Sequence, residues 1–234
     1  MIEELDFETY LFISPGELKI YLFDKKNLKN LYENKLILKN HLQHIDYNIL
    51  NNFLEENIFK IEKHIGGFLK KISLVIKNIE IINIYIGVKK KNYKETFNQK
   101  YLENMLTEVR DIFKENYQNK KILHILVNKY FINDKYQPMF DKKINSDSIS
   151  LEVQFIAISK SFVFEINKIL EKFHVKSDKW LDEKYVQSFF KKEDLIITEK
   201  VFKIHQGIND QEVQVVPKIQ KKVGFFERFF QLFS

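Results

Sequence analysis

The sequence contains no cysteine, and only three prolines and six glycines stand among its 234 residues. Without cysteine the chain has neither a disulfide framework nor a thiol nucleophile, which is typical of a protein that works in a reducing compartment. The scarcity of proline and glycine, together with 44% hydrophobic residues, argues against a largely disordered chain. The composition therefore predicts regular secondary structure around one large or two small cores.

Arginine is nearly absent, although the chain carries 38 basic residues and a formal charge of +6. Only Arg110 and Arg228 are arginines, and the other basic residues are lysines. Arginine is the residue that usually binds phosphates and guanine bases through paired hydrogen bonds. The basic charge is therefore weak evidence for a nucleic-acid partner, and we expect none.

Long apolar runs are also missing. No run approaches the roughly 20 residues that span a bilayer. The first ten residues, MIEELDFETY, are acidic and lack the layout of a signal peptide. These two observations predict a cytoplasmic protein that contacts a membrane only at its surface.

The last twelve residues carry an amphipathic pattern with five phenylalanines. At about 100° per residue, the apolar side chains fill one half of a helical wheel. That half consists of Val223, Phe225, Phe226, Phe229, Phe230, Leu232 and Phe233, and the basic residues beside it are Lys221, Lys222 and Arg228. An aromatic face with a basic approach predicts a helix that lies in a membrane interface and favours anionic lipid.

The same pattern would also suit a terminal helix that docks on its own domain. The segment before it, 207–222, is polar and contains Pro217, which is typical of a linker. We therefore predict a linker over 207–222 and a membrane-targeting helix over 223–234, with self-docking as the alternative.

Hydrophobic periodicity predicts an α/β fold interrupted by a smaller α+β unit. Strands are predicted over 10–14, 17–24, 28–38 and 72–77, and helices between Asp46 and Gly66–Gly67, over 101–113, and from Ser159 to Phe173. Further strands are predicted over 82–88, 122–132, 151–157, 175–180 and 195–205, with a short helix or loop to Lys192 and a polar loop over 134–148. The insertion, with strand-helix-strand-strand order, leaves after Asn78 and rejoins near Ser159.

This order resembles the FtsA family of bacterial cell-division proteins, an actin-like group to which the pilus-assembly protein PilM is related. Leu11 to Ile20 is similar to the family's first phosphate hairpin, and the closing GFFERFF is similar to its membrane-targeting helix. The other stretches that carry the resemblance are Leu74–Asn78, Ile84–Val88, Lys121–Ile132 and Val153–Ile158. Residues 10–190 and 222–234 take part in it.

The resemblance implies a discontinuous domain arrangement. It places an actin-like, ribonuclease H-like first subdomain at 1–78 plus 159–206, and an inserted α+β interaction domain at 79–158. The linker and the amphipathic helix follow. The chain ends where the family's second actin-like half would begin, so we expect a reduced form.

The departures from the family concern the nucleotide. Ser14 stands where the family's first hairpin carries an acidic residue, and Pro15 precedes Gly16, although Lys19 remains. The second phosphate loop, an aspartate followed by glycines, has no counterpart here, and neither do the adenosine-binding glycines. We therefore expect no nucleotide cofactor and no enzymatic activity.

Other candidate sites have simpler explanations. His41 and His44 are three residues apart without further ligands nearby, so no metal site is predicted. His124 lies in an apolar strand and is expected to be a packed histidine. The turn Ser14-Pro15-Gly16 is expected to be a tight hairpin, and the carboxylate pairs Glu3–Glu4 and Glu55–Glu56 are expected to be solvated.

The resemblance and the C-terminal helix together predict a scaffold protein of the division septum. It would lie on the cytoplasmic face of the bacterial inner membrane and bind other divisome proteins, and itself, through the inserted domain. Two alternatives stay open: a PilM-like scaffold for pilus or envelope assembly, and an ATP-binding actin-like protein that dimerisation completes.

Overall fold

The computed structural model describes residues 6–38, 45–77, 80–91, 97–138, 143–144, 146–190, 193–209 and 212–213. The chain divides into two compact units. The first comprises 1–81 with 159–208, and the second comprises 82–158 with 209–234. The chain therefore enters each unit twice.

The strands and helices follow in chain order. The strands are β1 (Phe7–Ser14), β2 (Glu17–Asp24), β3 (Lys29–Ile37), β4 (Lys71–Ile76), β5 (Ile82–Lys91), β6 (Phe97–Asn98), β7 (Lys120–Ile132), β8 (Lys135–Gln137), β9 (Lys143–Ile144), β10 (Ser148–Ser159) and β11 (Lys176–Asp182). The helices are α1 (Tyr47–Ile65), α2 (Gln99–Asn116), α3 (Lys160–Glu171), α4 (Glu183–Phe189) and α5 (Ile197–His205).

The first unit is built on a five-stranded sheet in the order β11-β4-β1-β2-β3. β1, β2 and β3 form an antiparallel meander, whereas β4 runs parallel to both β1 and β11. Most residues of β1 and β2 are buried one after another without alternation. A strand buried in this way has both faces of its sheet covered.

Helix α1 has a defined start and a defined end. Asp46 accepts hydrogen bonds from the amides of Asn48 and Ile49 and so satisfies two free donors of the first turn. Gly66 ends the helix in the left-handed conformation, with φ of 66°. The predicted N-cap and the predicted glycine stop are both found here.

A buried asparagine ties α1 to the edge strand β3. The Asn57 side chain accepts hydrogen bonds from the hydroxyl of Tyr32 at 2.6 Å and from the side-chain amide of Asn34 at 2.7 Å. Its own amide donates to the carbonyl of Phe53 at 2.6 Å. Asn57 is fully buried, so these bonds offset the cost of removing a polar group from water.

The second unit has a four-stranded sheet in the order β5-β10-β7-β8. β5 shows a strict alternation in which Ile82, Ile84, Ile86 and Val88 face the core. The apolar stripe of α2, which includes Leu102, Met105, Val109 and Phe113, packs into the same core as buried residues of β7 and β10. This arrangement is the half-buried sheet that the sequence alternation predicts.

The mixed α/β class is confirmed, but the prediction for residues 195–205 is wrong. The prediction was a strand, and the structure has helix α5 from Ile197 to His205. Thr198, Val201, Ile204 and His205 are the buried residues, and their spacing of three and four is helical. The 134–148 segment, predicted as a loop, contains the short strands β8 and β9.

Part of the segment predicted as a linker, 207–222, is buried. Asn209, Glu212 and Val213 are buried, and Val213 belongs to the core of the second unit. The polar composition was misleading because the polar side chains here are buried and hydrogen-bonded to one another. In the part of the chain that the structure describes, no helix is long and apolar enough to cross a membrane.

Candidate functional site

The carboxyl ends of β1, β4 and β11 meet at one edge of the first sheet. This follows from the parallel pairing of β4 with both neighbours. The edge brings together Ser14, Lys77 and Asp182, and it is where ligands bind in many sheets of this kind. It also contains the hairpin between β1 and β2, for which the sequence resemblance implies a phosphate loop.

The hairpin between β1 and β2 closes on itself. The Ser14 hydroxyl donates to the carbonyl of Glu17 at 3.0 Å and accepts from its amide at 3.1 Å. Pro15 has no amide hydrogen to offer a phosphate. The expectation of a tight hairpin is therefore met, and the serine is occupied within it.

The two lysines beside this hairpin are already paired. Lys19 Nζ lies 2.6 Å and Lys35 Nζ lies 2.9 Å from the Glu17 carboxylate. Burial raises the pKa of Glu17, but the hydrogen bonds and charges of these lysines outweigh it and hold the pKa below its usual value. An anion at this place would have to compete with Glu17 for both lysines.

The acidic residues at the same edge do not form a metal site. Asp182 accepts hydrogen bonds from the amides of Lys184 and Tyr185, which makes it the N-cap of α4. Burial raises the pKa of Glu183, and the nearby charges of Lys77 and Lys19 oppose the shift. Among the described residues, no group of three or more histidine, aspartate or glutamate side chains could hold a metal ion.

A second polar cluster lies at the amino end of β1. Glu8 Oε2 accepts a hydrogen bond from the Tyr10 hydroxyl at 2.9 Å and lies 2.6 Å from Nδ1 of His205 on α5. Burial would raise the pKa of Glu8, but the hydrogen bonds from His205 and Tyr10 hold it below its usual value. Burial also lowers the pKa of His205, so a neutral imidazole that donates to Glu8 is favoured.

The second unit has a buried histidine–carboxylate pair of its own. His124 Nδ1 lies 2.7 Å from Oε1 of Glu212, and the side-chain amide of Asn209 donates to Oε2 at 2.6 Å. All three residues are buried. His124 is thus packed in its strand, as expected, and it also anchors a segment that is 88 residues away in sequence.

The predicted site residues are unevenly covered by the structure. All ten predicted membrane-binding residues, from Lys221 to Phe233, lie outside the described residues, as do His41, His44, Glu3 and Glu4. Glu55 and Glu56 are exposed on α1, as expected. The sequence analysis did not identify Glu212, because no motif marks a glutamate whose histidine partner is 88 residues away.

Comparison with known sequences finds no relative. No protein-family model matches the chain. No curated protein matches it either. The FtsA family therefore stays a prediction.

Comparison with solved structures finds distant similarity. The cytoplasmic domain of EpsL, an inner membrane component of the type II secretion system of Vibrio cholerae, matches with a TM-score of 0.41 and 6% identity over 77% of this chain and 59% of that one. The PilM–PilN type IV pilus biogenesis complex matches with a TM-score of 0.47 and 12% identity over 78% of this chain and 49% of that one. A Bacteroides thetaiotaomicron protein with an actin-like ATPase fold and unknown function matches with a TM-score of 0.33 and 14% identity over 82% of this chain and 60% of that one.

The chain spans between 49% and 60% of the length of these three structures. Each TM-score is below 0.5, so the similarity identifies neither a family nor an activity. The strand order β11-β4-β1-β2-β3 by itself is consistent with the actin-like subdomain that the sequence predicts.

Proposed function

We propose that this protein is a peripheral membrane scaffold of the bacterial division machinery, similar to FtsA, which attaches through residues 223–234. The aromatic and basic pattern of those residues carries the proposal. Full burial of an aromatic side chain stabilises by roughly 1.5–3 kcal/mol. Partial burial of several phenylalanine rings therefore offsets the entropy cost of ordering the segment. One such helix is a reversible anchor, and several copies side by side would bind firmly.

In this proposal residues 1–78 with 159–206 are an actin-like subdomain, and 79–158 form an inserted domain that binds division partners and a second copy. The state of the hairpin supports a scaffold over an ATPase. Ser14 bonds within the turn, and Lys19 and Lys35 are both paired with Glu17. These side chains would have to break their present contacts before they could bind a nucleotide phosphate.

Vesicle co-sedimentation tests the membrane anchor. We expect the full chain to sediment with vesicles that contain anionic lipid, and the double substitution Phe226→Glu plus Phe230→Glu to lose most of this binding, because both rings lie on the apolar half of the wheel. The matched control adds the same two charges on the polar half, as Gly224→Glu plus Gln231→Glu. Equal binding of the apolar-half variant and the control would contradict the proposal.

Two observations would redirect the proposal. Co-purification with secretion or pilus components, and not with division proteins, would favour a PilM-like scaffold, which keeps the membrane anchor. Calorimetry with Mg-ATP tests the ATP-binding alternative. Micromolar binding would overturn the view that the hairpin edge has lost this role.

A further inference from the structure

Strand β3 lies at the outer edge of the first sheet. Its inner edge pairs with β2, and among the described residues no strand pairs with its outer edge. β3 contains neither proline nor glycine. Its register with β2 shifts only opposite Leu22 and Phe23, so the stretch from Tyr32 to Ile37 is regular. A regular edge without proline or glycine can pair with a further strand.

The register with β2 shows which backbone groups of β3 point outward. The Leu38 amide donates to the carbonyl of Gly16 at 3.0 Å, so this pair is of the hydrogen-bonded kind. Hydrogen-bonded and non-hydrogen-bonded pairs alternate along an antiparallel ladder. The even-numbered residues from Tyr32 onward therefore direct their backbone groups to β2. The residues that direct theirs outward are Glu33, Lys35 and Ile37.

Two of these outward-directed residues carry opposite charges. Glu33 and Lys35 are both exposed, and because they are two residues apart they lie on the same face of the sheet. If a second β3 lies antiparallel along this edge with Asn34 opposite its own copy, Glu33 of each chain lies opposite Lys35 of the other. The two neighbouring registers that also match the outward backbone groups place Glu33 opposite Glu33, or Lys35 opposite Lys35. Like charges in directly opposed positions are destabilising, so charge selects the register centred on Asn34.

The other face of β3 is also complementary in this register. Leu36, which is exposed in the single chain, would lie opposite Tyr32 of the copy. An aliphatic side chain opposite an aromatic ring stabilises an antiparallel pair. The Tyr32 ring is already held in place, because its hydroxyl donates to the Asn57 side chain at 2.6 Å. Pairing would therefore cover Leu36 at little cost in side-chain entropy.

The existing contact of Lys35 leaves room for a second carboxylate. Its Nζ lies 2.9 Å from the Glu17 carboxylate, and the Lys35 side chain is 44% exposed. A lysine ammonium group has three donors, so it can bind Glu17 and a further carboxylate together. Glu33 of a second copy would therefore not have to displace Glu17.

We propose that two copies of this chain associate through the outer edges of their β3 strands, antiparallel and with Asn34 at the two-fold axis, so that two five-stranded sheets become one. The occupant of the edge is a second copy, because a symmetric contact needs a surface that is complementary to itself, and β3 has this property in one register. The contact uses the first unit and not residues 79–158. It does not depend on membrane attachment.

Exchange of charge between two variants tests the pairing. We expect the unsubstituted full chain to sediment as a dimer in analytical ultracentrifugation. Glu33→Lys alone and Lys35→Glu alone should each weaken dimerisation by about tenfold, because each places like charges opposite each other twice. An equimolar mixture of the two variants should recover the dimer, since one chain is then positive at both positions and the other is negative at both.

The mixture also excludes a folding defect as the cause, because recovery needs two folded chains. The matched control is Glu55→Lys, the same charge reversal at an exposed position of α1, which should dimerise like the unsubstituted chain. A monomeric unsubstituted chain, dimers that neither single variant weakens, or no recovery in the mixture would overturn the proposal.

A single cysteine tests the register, because the chain has no cysteine of its own. Asn34→Cys would place two thiols in a directly opposed pair without mutual hydrogen bonds, with Cα atoms about 4.5 Å apart, which suits a disulfide. Leu36→Cys lies on the same face but would be roughly 14 Å from its own copy. We expect Asn34→Cys to form covalent dimers at least about tenfold faster than Leu36→Cys. Equal rates would contradict the register centred on Asn34.

Discussion

Two histidines in this chain are buried beside carboxylates, and each pair joins residues far apart in sequence. His205 lies 2.6 Å from Glu8 in the first unit, and His124 lies 2.7 Å from Glu212 in the second. A histidine in an apolar stretch signals burial, but the carboxylate partner is 197 or 88 residues away. Sequence periodicity therefore predicts the packing of His124 and does not reveal its partner.

The His205 pair predicts a loss of stability in mild acid. Burial lowers the folded-state pKa of His205 below its ordinary value of 6.5, so the unfolded chain binds this proton more readily than the folded one. The stabilisation is complete above pH 6.5 and is lost as the pH falls toward the folded pKa. Glu8 contributes with the same sign, but only below its ordinary value of 4.5.

We expect the free energy of unfolding of the first unit to be lower at about pH 5.5 than at about pH 7.5. Trp180, the only tryptophan, is buried in β11 of that unit, so its fluorescence reports the transition. The control is His205→Gln, which is neutral at both values and should show a smaller difference. If His205→Gln shows the same pH difference in the free energy of unfolding as the unsubstituted chain, groups other than His205 cause the pH dependence.

The His124 pair predicts strong non-additivity. Replacing His124 alone by leucine should destabilise the second unit by about 3–5 kcal/mol, because the Glu212 carboxylate stays buried without this partner. Replacing both residues by leucine should recover much of that loss. Circular dichroism against denaturant measures the effect, and Trp180 fluorescence serves as the control on the first unit. A double variant as unstable as the sum of the single variants would contradict the argument.

At the scale of the elements, local signals were reliable where the element carries its own start and stop. Helix α1 has a capping aspartate and a terminal glycine within its own sequence, and both act as predicted. Helix α5 has no side-chain cap, and a short apolar run without caps is ambiguous between helix and strand. It contacts α4 and β3, and its buried residues recur at helical spacing.

The glycine stop of α1 gives a prediction with an internal control. Gly66 has φ of 66°, which costs a residue with a Cβ about 1–2 kcal/mol, whereas Gly67 has no positive φ. Neither glycine has an atom within 4 Å of an added Cβ, so sterics do not confuse the comparison. We expect Gly66→Ala to lower the free energy of unfolding by about 1 kcal/mol and Gly67→Ala to change it less. Equal effects would mean that the left-handed conformation is not what ends the helix.

At the scale of the whole molecule, the chain combines a net charge of +6 with a phenylalanine-rich C-terminal segment. Charge acts over about 10 Å at 0.1 M salt, whereas burial of apolar surface is not screened. In the proposed membrane attachment, charge attraction and apolar burial both contribute to the binding free energy. Because salt screens only the charge attraction, the salt dependence of binding distinguishes the two contributions.

We expect binding to anionic vesicles to weaken several-fold when salt rises from about 0.05 M to about 0.5 M, and to persist at a lower level. Vesicles of neutral lipid are the control and should show weaker binding that depends little on salt. Complete loss of binding at high salt would mean that charge alone attaches the protein and that the phenylalanines do not insert.

The sequence by itself determined the mixed α/β class, the helices α1, α2 and α3, and the closing of the first hairpin, because each depends on neighbours within a few residues. Only the tertiary structure decided that α5 is a helix, that Lys35 pairs with Glu17, that Glu212 pairs with His124, and that Val213 belongs to the core of the second unit. The physical reason is that the identity of a polar side chain does not show whether that side chain is exposed to water or buried in a pair. Whether it is solvated or paired depends on a partner that local sequence does not contain.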